Sequence, residues 1–201
     1  MINKPDREVT IIEGNWQTGK TSLLHYLGRH NYGVINEPMQ TPDIEKKYDL
    51  DNWYAIMHQR NLEIAVSRRT PQAVERSLAS NLAFMKVLDR SDVVTEAKIA
   101  RIVRDSKRSG LLERVGSVAL LKVDDAAYME HRVPNITDPT IAPFLHEMSQ
   151  QFLEYQAVLQ NYLFVLFPHA KLVEVMSYEK TGFVSQEVVF DNVARQLEGT
   201  L

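Results

Sequence analysis

Glu8-Val9-Thr10-Ile11-Ile12-Glu13-Gly14-Asn15-Trp16-Gln17-Thr18-Gly19-Lys20-Thr21 is the stretch that decides the architecture. The apolar run from Val9 to Ile12 reads as a buried strand ending at Gly14, and Gly19-Lys20-Thr21 opens a helical pattern with Leu23, Leu24 and Leu27 on its buried side. Strand, G-x-x-x-x-G-K-[ST] and helix together form the phosphate-binding loop pattern in the context it requires. The glycines let successive backbone N–H groups of Asn15, Trp16, Gln17 and Thr18 turn inward as an anion nest. The helix behind adds the partial positive charge of its N-terminus. Lys20 can reach the outer phosphates of a nucleotide, and the Thr21 hydroxyl can ligate magnesium.

Outward from this loop, apolar runs alternate with helical patterns. Strands are read at 8–13, 33–37, 71–76, 116–123 and 171–177. Helices are read from Lys20 to about 28–31, and over 51–68, 77–88, 92–107, 141–163 and 185–198, with a short one carrying Tyr128 and Met129. Ser91 or Asp92 is the candidate cap of the helix over 92–107, and Val133 to Thr140, with two prolines, reads as a loop. This alternation implies an α/β fold with a parallel sheet covered by helices on both faces. Ligands of such sheets bind beyond the carboxyl ends of the strands. Gly14 to Thr21, Glu37, Glu75, Arg76 and the segment 124–140 are thereby predicted to converge along one edge. No internal repeat or linker divides the chain, and the 201 residues are read as one domain.

Composition narrows the function classes. A formal net charge of −3 implies no general affinity for nucleic acid. The absence of cysteine excludes disulfides, thiolate metal sites and cysteine nucleophiles, and the six histidines show no metal-ligand spacing. No apolar run approaches the roughly 20 residues of a membrane span, and the first residues lack the apolar core of a signal peptide, so a cytoplasmic protein is expected.

At the predicted edge, Glu37 is a candidate base for an acceptor hydroxyl. Arg76 is a candidate clamp for phosphate oxygens, and Glu75 a candidate holder of magnesium or its waters. Each also has a plain reading, as a solvated carboxylate or a surface ion pair. Arg101, Arg104, Lys107 and Arg108 read as the wet face of an amphipathic helix, with contact to an anionic substrate as the alternative.

The set Glu13-Gly14-Asn15…Gly19-Lys20-Thr21, Glu37-Pro38 and Glu75-Arg76-Ser77, with Ser80 and Phe84 behind it, resembles the deoxynucleoside kinase family. The resemblance covers nearly the whole chain. It implies a three-layer P-loop kinase fold with a five-stranded parallel sheet in the order 2-3-1-4-5. It also implies transfer of the γ-phosphate of ATP, with magnesium, to the 5′-hydroxyl of a deoxynucleoside. Glu37 would then be the general base, Arg76 would stabilise the transferring phosphoryl group, and Thr21 and Glu75 would attend the metal. Gln59 is the candidate for pairing with the base edge, since an amide offers a donor and an acceptor together. Asn81 falls at another base-facing position, and Trp53 or Tyr54 is the candidate to stack on sugar or base. The family's lid carries several arginines, whereas residues 130–140 hold only Arg132, beside His131; Arg101 or Arg104 is the alternative source of that charge. A homodimer through the helices near 51–68 and 77–108 is a further implication of the family. Two rival readings stand beside this one: a deoxynucleoside monophosphate kinase of the thymidylate type, and a nucleotide-binding protein without turnover.

Overall fold

The computed structural model describes residues 9–16, 18–37, 47–89, 92–124, 151–179 and 182–198. Six strands form one sheet: β1 (Val9–Gly14), β2 (Gly33–Ile35), β3 (Gln72–Glu75), β4 (Val115–Val123), β5 (Lys171–Glu179) and β6 (Gly182–Phe183). The helices are α1 (Lys20–Arg29), α2 (Lys47–Ser67), α3 (Leu78–Val87), α4 (Val93–Arg108), α5 (Phe152–Leu166) and α6 (Gln186–Glu198), with a 3-10 turn at Leu112–Arg114.

The strand order is β2-β3-β1-β4-β5-β6. The first five strands are parallel, in the order 2-3-1-4-5. The all-parallel five-stranded expectation is corrected by β6, which lies antiparallel to β5 through Tyr178↔Phe183 and Glu179↔Gly182. The chain doubles back because β5 continues two residues past the predicted end at Ser177, and Gly182 adopts φ +119°, open to glycine without strain. Two residues give no periodicity to read, so the sequence pattern stays silent there.

All six residues of β1 are buried, as a central strand covered on both faces requires. Alternation along the strands feeds two apolar layers. Ile11, Val74, Val118 and Leu120 pack with side chains of α2, α3, α4 and α5, including Leu62, Ala83, Ile99 and Leu159. Ile12, Ala73, Ala119 and Leu121 pack on the other face with Leu23, Leu24 and Leu27 of α1 and Val189, Val193 and Leu197 of α6. Because β1 sits between β3 and β4, the chain leaving it turns to one side while later strands add on the other. Its carboxyl end is therefore the switch point of the sheet, where such folds open a crevice.

Several boundaries differ from the sequence reading. β2 stops at Ile35, so Glu37 lies two residues beyond the strand instead of at its end. β3 stops at Glu75, and Arg76 leaves it with φ +64°. α2 begins at Lys47, four residues early, and α5 continues to Leu166. Asp92 caps α4, its Oδ1 accepting from the N–H groups of Val94 and Thr95. The predicted helix around Tyr128 and Met129, the 130–140 segment with Arg132, and the first part of the predicted 141–163 helix lie outside the described residues.

Gly14 shows why the loop begins with glycine. Its φ is +144°, and a Cβ there would lie 2.5 Å from the carbonyl oxygen of Leu121 on the neighbouring strand. Gly14→Ala is accordingly expected to cost about 2–4 kcal/mol of stability, from backbone strain together with overpacking. Urea denaturation checks this, and a loss under about 0.5 kcal/mol, the range of an ordinary surface change, contradicts it.

Candidate active site at the carboxyl edge of the sheet

The loop after β1 leads into α1 without a side-chain cap: Gly19, at the N-cap, is left-handed with φ 92°. No side chain caps the first-turn N–H groups of α1, as the helix start of an anion site requires. The loop is braced from within. Asn15 donates through Nδ2 to the carbonyl of Phe152 at the start of α5 (3.2 Å), and its own carbonyl accepts from Thr18 Oγ1 (2.8 Å) and from Lys20 Nζ (2.6 Å). The Oδ1 of Asn15 is buried without a hydrogen-bond partner among the described residues. Thr21 Oγ1 donates to Glu75 Oε1 at 2.9 Å, which brings together the two oxygens predicted to attend magnesium, one from α1 and one from the end of β3. Gln17 lies outside the described residues.

A second group assembles around Arg76, which is only 2% exposed. Its backbone N–H donates to the carbonyl of Ile12, tying the residue to β1 just before the loop. Its Nε donates to Glu37 Oε2 at 2.8 Å. Its Nη1 donates to Tyr155 Oη (3.2 Å) and to Ser80 Oγ (3.4 Å). The guanidinium carbon lies 5.1 Å from the ring centroid of Trp16 and 5.7 Å from that of Phe84. Behind it, fully buried Glu13 accepts from Ser77 Oγ (2.7 Å) and Ser80 Oγ (2.6 Å). Ser77 also caps α3, accepting from the N–H of Ala79.

Burial and charge oppose each other throughout this group. Burial raises Glu13 above the usual carboxylate range, against the pull of Arg76 and the two serine hydroxyls. Burial would also raise Glu37, but the Arg76 guanidinium, helped by Lys20, outweighs it and holds Glu37 low. Desolvation acts against the charge of Arg76 too, yet Glu37 and the surrounding groups keep the guanidinium firmly protonated. Lys20 is pushed down to about 7 by burial and by the nearby Arg76.

The Lys20 shift has a measurable consequence. Phosphate oxygens replacing the Asn15 carbonyl favour the charged ammonium, so a bound nucleotide raises this pKa. Below about pH 6 the lysine is already charged in the free protein, and binding takes up no proton through it. Near about pH 8 it is mostly neutral before binding, and nucleotide binding is expected to take up close to one proton, with affinity falling as pH rises through 7. Calorimetry in two buffers of different ionisation enthalpy reads the uptake. Equal proton counts at both pH values would contradict the assignment.

Glu37, Arg76, Lys20, Thr21 and Glu75 are thus brought to one edge. The other sequence candidates fall differently. The amide of Gln59 donates to Glu63 on its own helix. Its neighbour His58 is buried instead, within electrostatic reach of Glu37 and Arg76, and burial drives it down to about 4, so it is neutral at physiological pH. Asn81 is buried; its Nδ2 donates to the backbone carbonyl of Asp51, and its Oδ1 has no hydrogen-bond partner among the described residues. Trp53 packs edge-on against Tyr54, whose ring stacks over His58 at 6.0 Å. Arg101 pairs with Asp105 along an exposed face of α4, at 3.6 Å.

Three contributors had no role in the sequence reading: the carboxylate of Glu13, the hydroxyl of Tyr155 and the imidazole of His58. A carboxylate directly after the apolar run of a central strand was a signal for the first. Nothing local marks Tyr155, which arrives from α5. Among the described residues no group of three or more histidine, aspartate or glutamate side chains forms a metal cluster. Among the same residues no helix is long and apolar enough to cross a membrane.

No family model matches the sequence, and no curated protein does. Solved structures match the fold over nearly its whole length. Deoxyadenosine kinase from M. mycoides with bound dCTP superposes with a TM-score of 0.65 at 13% identity, covering 95% of this chain and 99% of that one. The same kinase with dCMP and a flexible dCDP bound gives 0.66 at 13% identity, covering 96% and 100%. A thymidylate kinase from Ehrlichia chaffeensis gives 0.56 at 12% identity, covering 95% and 98%. At these identities the likeness is one of fold: the chain has the α/β architecture of P-loop nucleoside and nucleotide kinases.

Proposed function

We propose that this protein is a deoxynucleoside kinase that transfers the γ-phosphate of ATP to the 5′-hydroxyl of a deoxynucleoside. The observation that carries the reading is the apposition of a phosphate loop to an acid–arginine pair. Lys20, Thr21 and Glu75 lie on one side and Glu37 with Arg76 on the other, all at the switch point of the sheet.

Phosphoryl transfer asks a protein for placement and charge more than for covalent help. The uncapped N–H groups at the start of α1 and the Lys20 ammonium hold the donor's phosphates. Thr21 Oγ1 and Glu75 Oε1 are hard oxygen donors and fit magnesium, which supplies charge neutralisation when bound. Glu37 orients the acceptor hydroxyl and receives its proton. Its lowered pKa is compatible with that task, because the transition state is loose and the proton leaves late. Arg76 leans from Glu37 towards the transferring phosphoryl group as charge builds on its oxygens. Each step of that lean loosens its hold on Glu37, so the carboxylate becomes a better base as the reaction needs one.

A nucleoside is the acceptor in this reading, and a monophosphate acceptor is the rival that goes with the same fold. Incubating the protein with ATP, magnesium and a panel of deoxynucleosides and their monophosphates, with ADP release as the readout, decides the matter. Release with nucleosides is the expected result. Release with monophosphates alone moves the assignment to a thymidylate-type kinase, and release with neither removes the enzyme reading. A cytoplasmic setting and a homodimer through α2, α3 and α4 belong to the same proposal, and sedimentation velocity tests the dimer.

A further inference from the structure

We infer that Trp16 is a positioning residue which couples occupancy of the phosphate loop to the placement of Arg76. The inference rests on the kinase reading above and adds to it a residue to which the loop motif gives no role, since the motif leaves that position open.

The argument starts from how Arg76 is held. A non-glycine residue at φ +64° has few ways to aim its side chain, and this one is almost wholly enclosed. Polar groups fix its edges: Glu37 takes Nε, and Tyr155 and Ser80 take Nη1. Aromatic rings flank it as well. Trp16 and Phe84 both lie within cation–π distance of the guanidinium. The rings also pack on one another, with centroids 4.5 Å apart for Trp16 and Phe84, 4.5 Å for Phe84 and Tyr155, and 5.6 Å for Trp16 and Tyr155.

The origins of these rings matter. Phe84 comes from α3 and Tyr155 from α5, both parts of the packed scaffold. Trp16 comes from the phosphate loop itself, two residues after Gly14 and four before Lys20. Its indole is the loop side chain that stands over the guanidinium among the described residues. A phosphate settling on the loop aligns the backbone N–H groups around Trp16. The indole moves with its backbone, and its contact carries the change to Arg76. The arginine is then placed when a donor is present and left with Glu37 when none is.

Two measurements test this. The first needs no turnover. The chain has two tryptophans, so Trp53→Phe leaves Trp16 as the only indole emitter. In that background, magnesium–ADP is titrated while emission is recorded, and calorimetry reports binding independently. A change in Trp16 emission that is largely lost when Arg76→Met is added is the expected result. Binding with no emission change, or with the same change in the Arg76→Met protein, overturns the inference and leaves the kinase reading intact. No binding by calorimetry removes both.

The second measurement separates positioning from plain packing. Trp16→Leu is expected to lower kcat about tenfold, the scale of a desolvated cation–π contact, with KM for ATP changed less than about threefold. Trp16→Phe, which keeps a π face, should recover most of the loss. In an Arg76→Lys background the Trp16→Leu change should cost little more, because residues acting as a unit are not additive. Equal losses from Trp16→Leu with and without Arg76→Lys, or no recovery by phenylalanine, overturn the coupling.

Discussion

Replacing Glu37 by glutamine is expected to lower turnover by about two to four orders of magnitude while ATP binding survives. Glutamine keeps the shape of glutamate, and its carbonyl oxygen can still accept from Arg76 Nε, where Glu37 Oε2 now lies at 2.8 Å. It cannot receive the proton that the acceptor hydroxyl must lose. The donor contacts belong to the loop and to Thr21 and Glu75, none of which depends on Glu37 for a hydrogen bond. The loss should therefore fall on kcat and spare the nucleotide's affinity. The Glu37 side chain is 29% exposed, so water can share the solvation of the altered pair and the fold should hold. Single-turnover rates with the responsive nucleoside, alongside calorimetric ATP binding, give both numbers. Unchanged turnover would take the base assignment away from Glu37, and loss of ATP binding would show that Glu37 serves the donor loop instead.

What could be read before any coordinates follows the range of the interactions. The phosphate loop is local: Gly14, Gly19, Lys20 and Thr21 lie within eight residues, so its form is written in consecutive letters. That the sheet is parallel follows from the alternation of strands and helices, whereas the strand order 2-3-1-4-5 comes only from the resemblance to the kinase family. The side-chain partnerships are not local. Arg76 meets Tyr155 across 79 positions, and Glu13 meets Ser80 across 67, so no spacing rule could pair them. Gln59 and His58 show the finer limit. They are adjacent on α2, and which of them faces Glu37 depends on how the helix is rotated about its axis. The mixed apolar and polar run from Trp53 to Ala65 does not fix that rotation, since His58 and Asn61 are buried along with Ala55, Leu62 and Ala65. Burial of polar residues against a site erases the amphipathic contrast on which helix phasing relies. The positive φ of Arg76 is invisible for a related reason: an arginine carries no signature of a left-handed position, and only the surrounding contacts hold it there.

Arg76→Met should separate stability from catalysis more sharply than any other single change. The substitution keeps an unbranched chain among Trp16, Phe84 and Tyr155 but removes the charge that faces both Glu37 and Glu13. Losing one member of a buried charged set costs about 3–5 kcal/mol. Glu37 can turn to solvent; Glu13 cannot, being fully buried at the end of β1. Most of the cost should therefore sit on Glu13, and it carries a sign in pH. The folded-state pKa of Glu13 is already raised by burial and rises further once the guanidinium is gone. Between the unfolded carboxyl value and that raised value the folded protein binds more protons than the unfolded chain, so stability falls as pH rises. The Arg76→Met deficit should be smallest in mildly acidic buffer and largest above neutrality. Adding Glu13→Gln should return much of the stability at about pH 8, because the amide is neutral and its carbonyl oxygen still accepts a hydrogen bond from Ser77 or Ser80. It should return none of the turnover, since nothing then faces the transferring phosphoryl group from that side. Urea denaturation at two pH values, with kcat measured on the same samples, gives the comparison. A deficit independent of pH would remove Glu13 from the account, and turnover rescued together with stability would mean that Arg76 serves the fold alone.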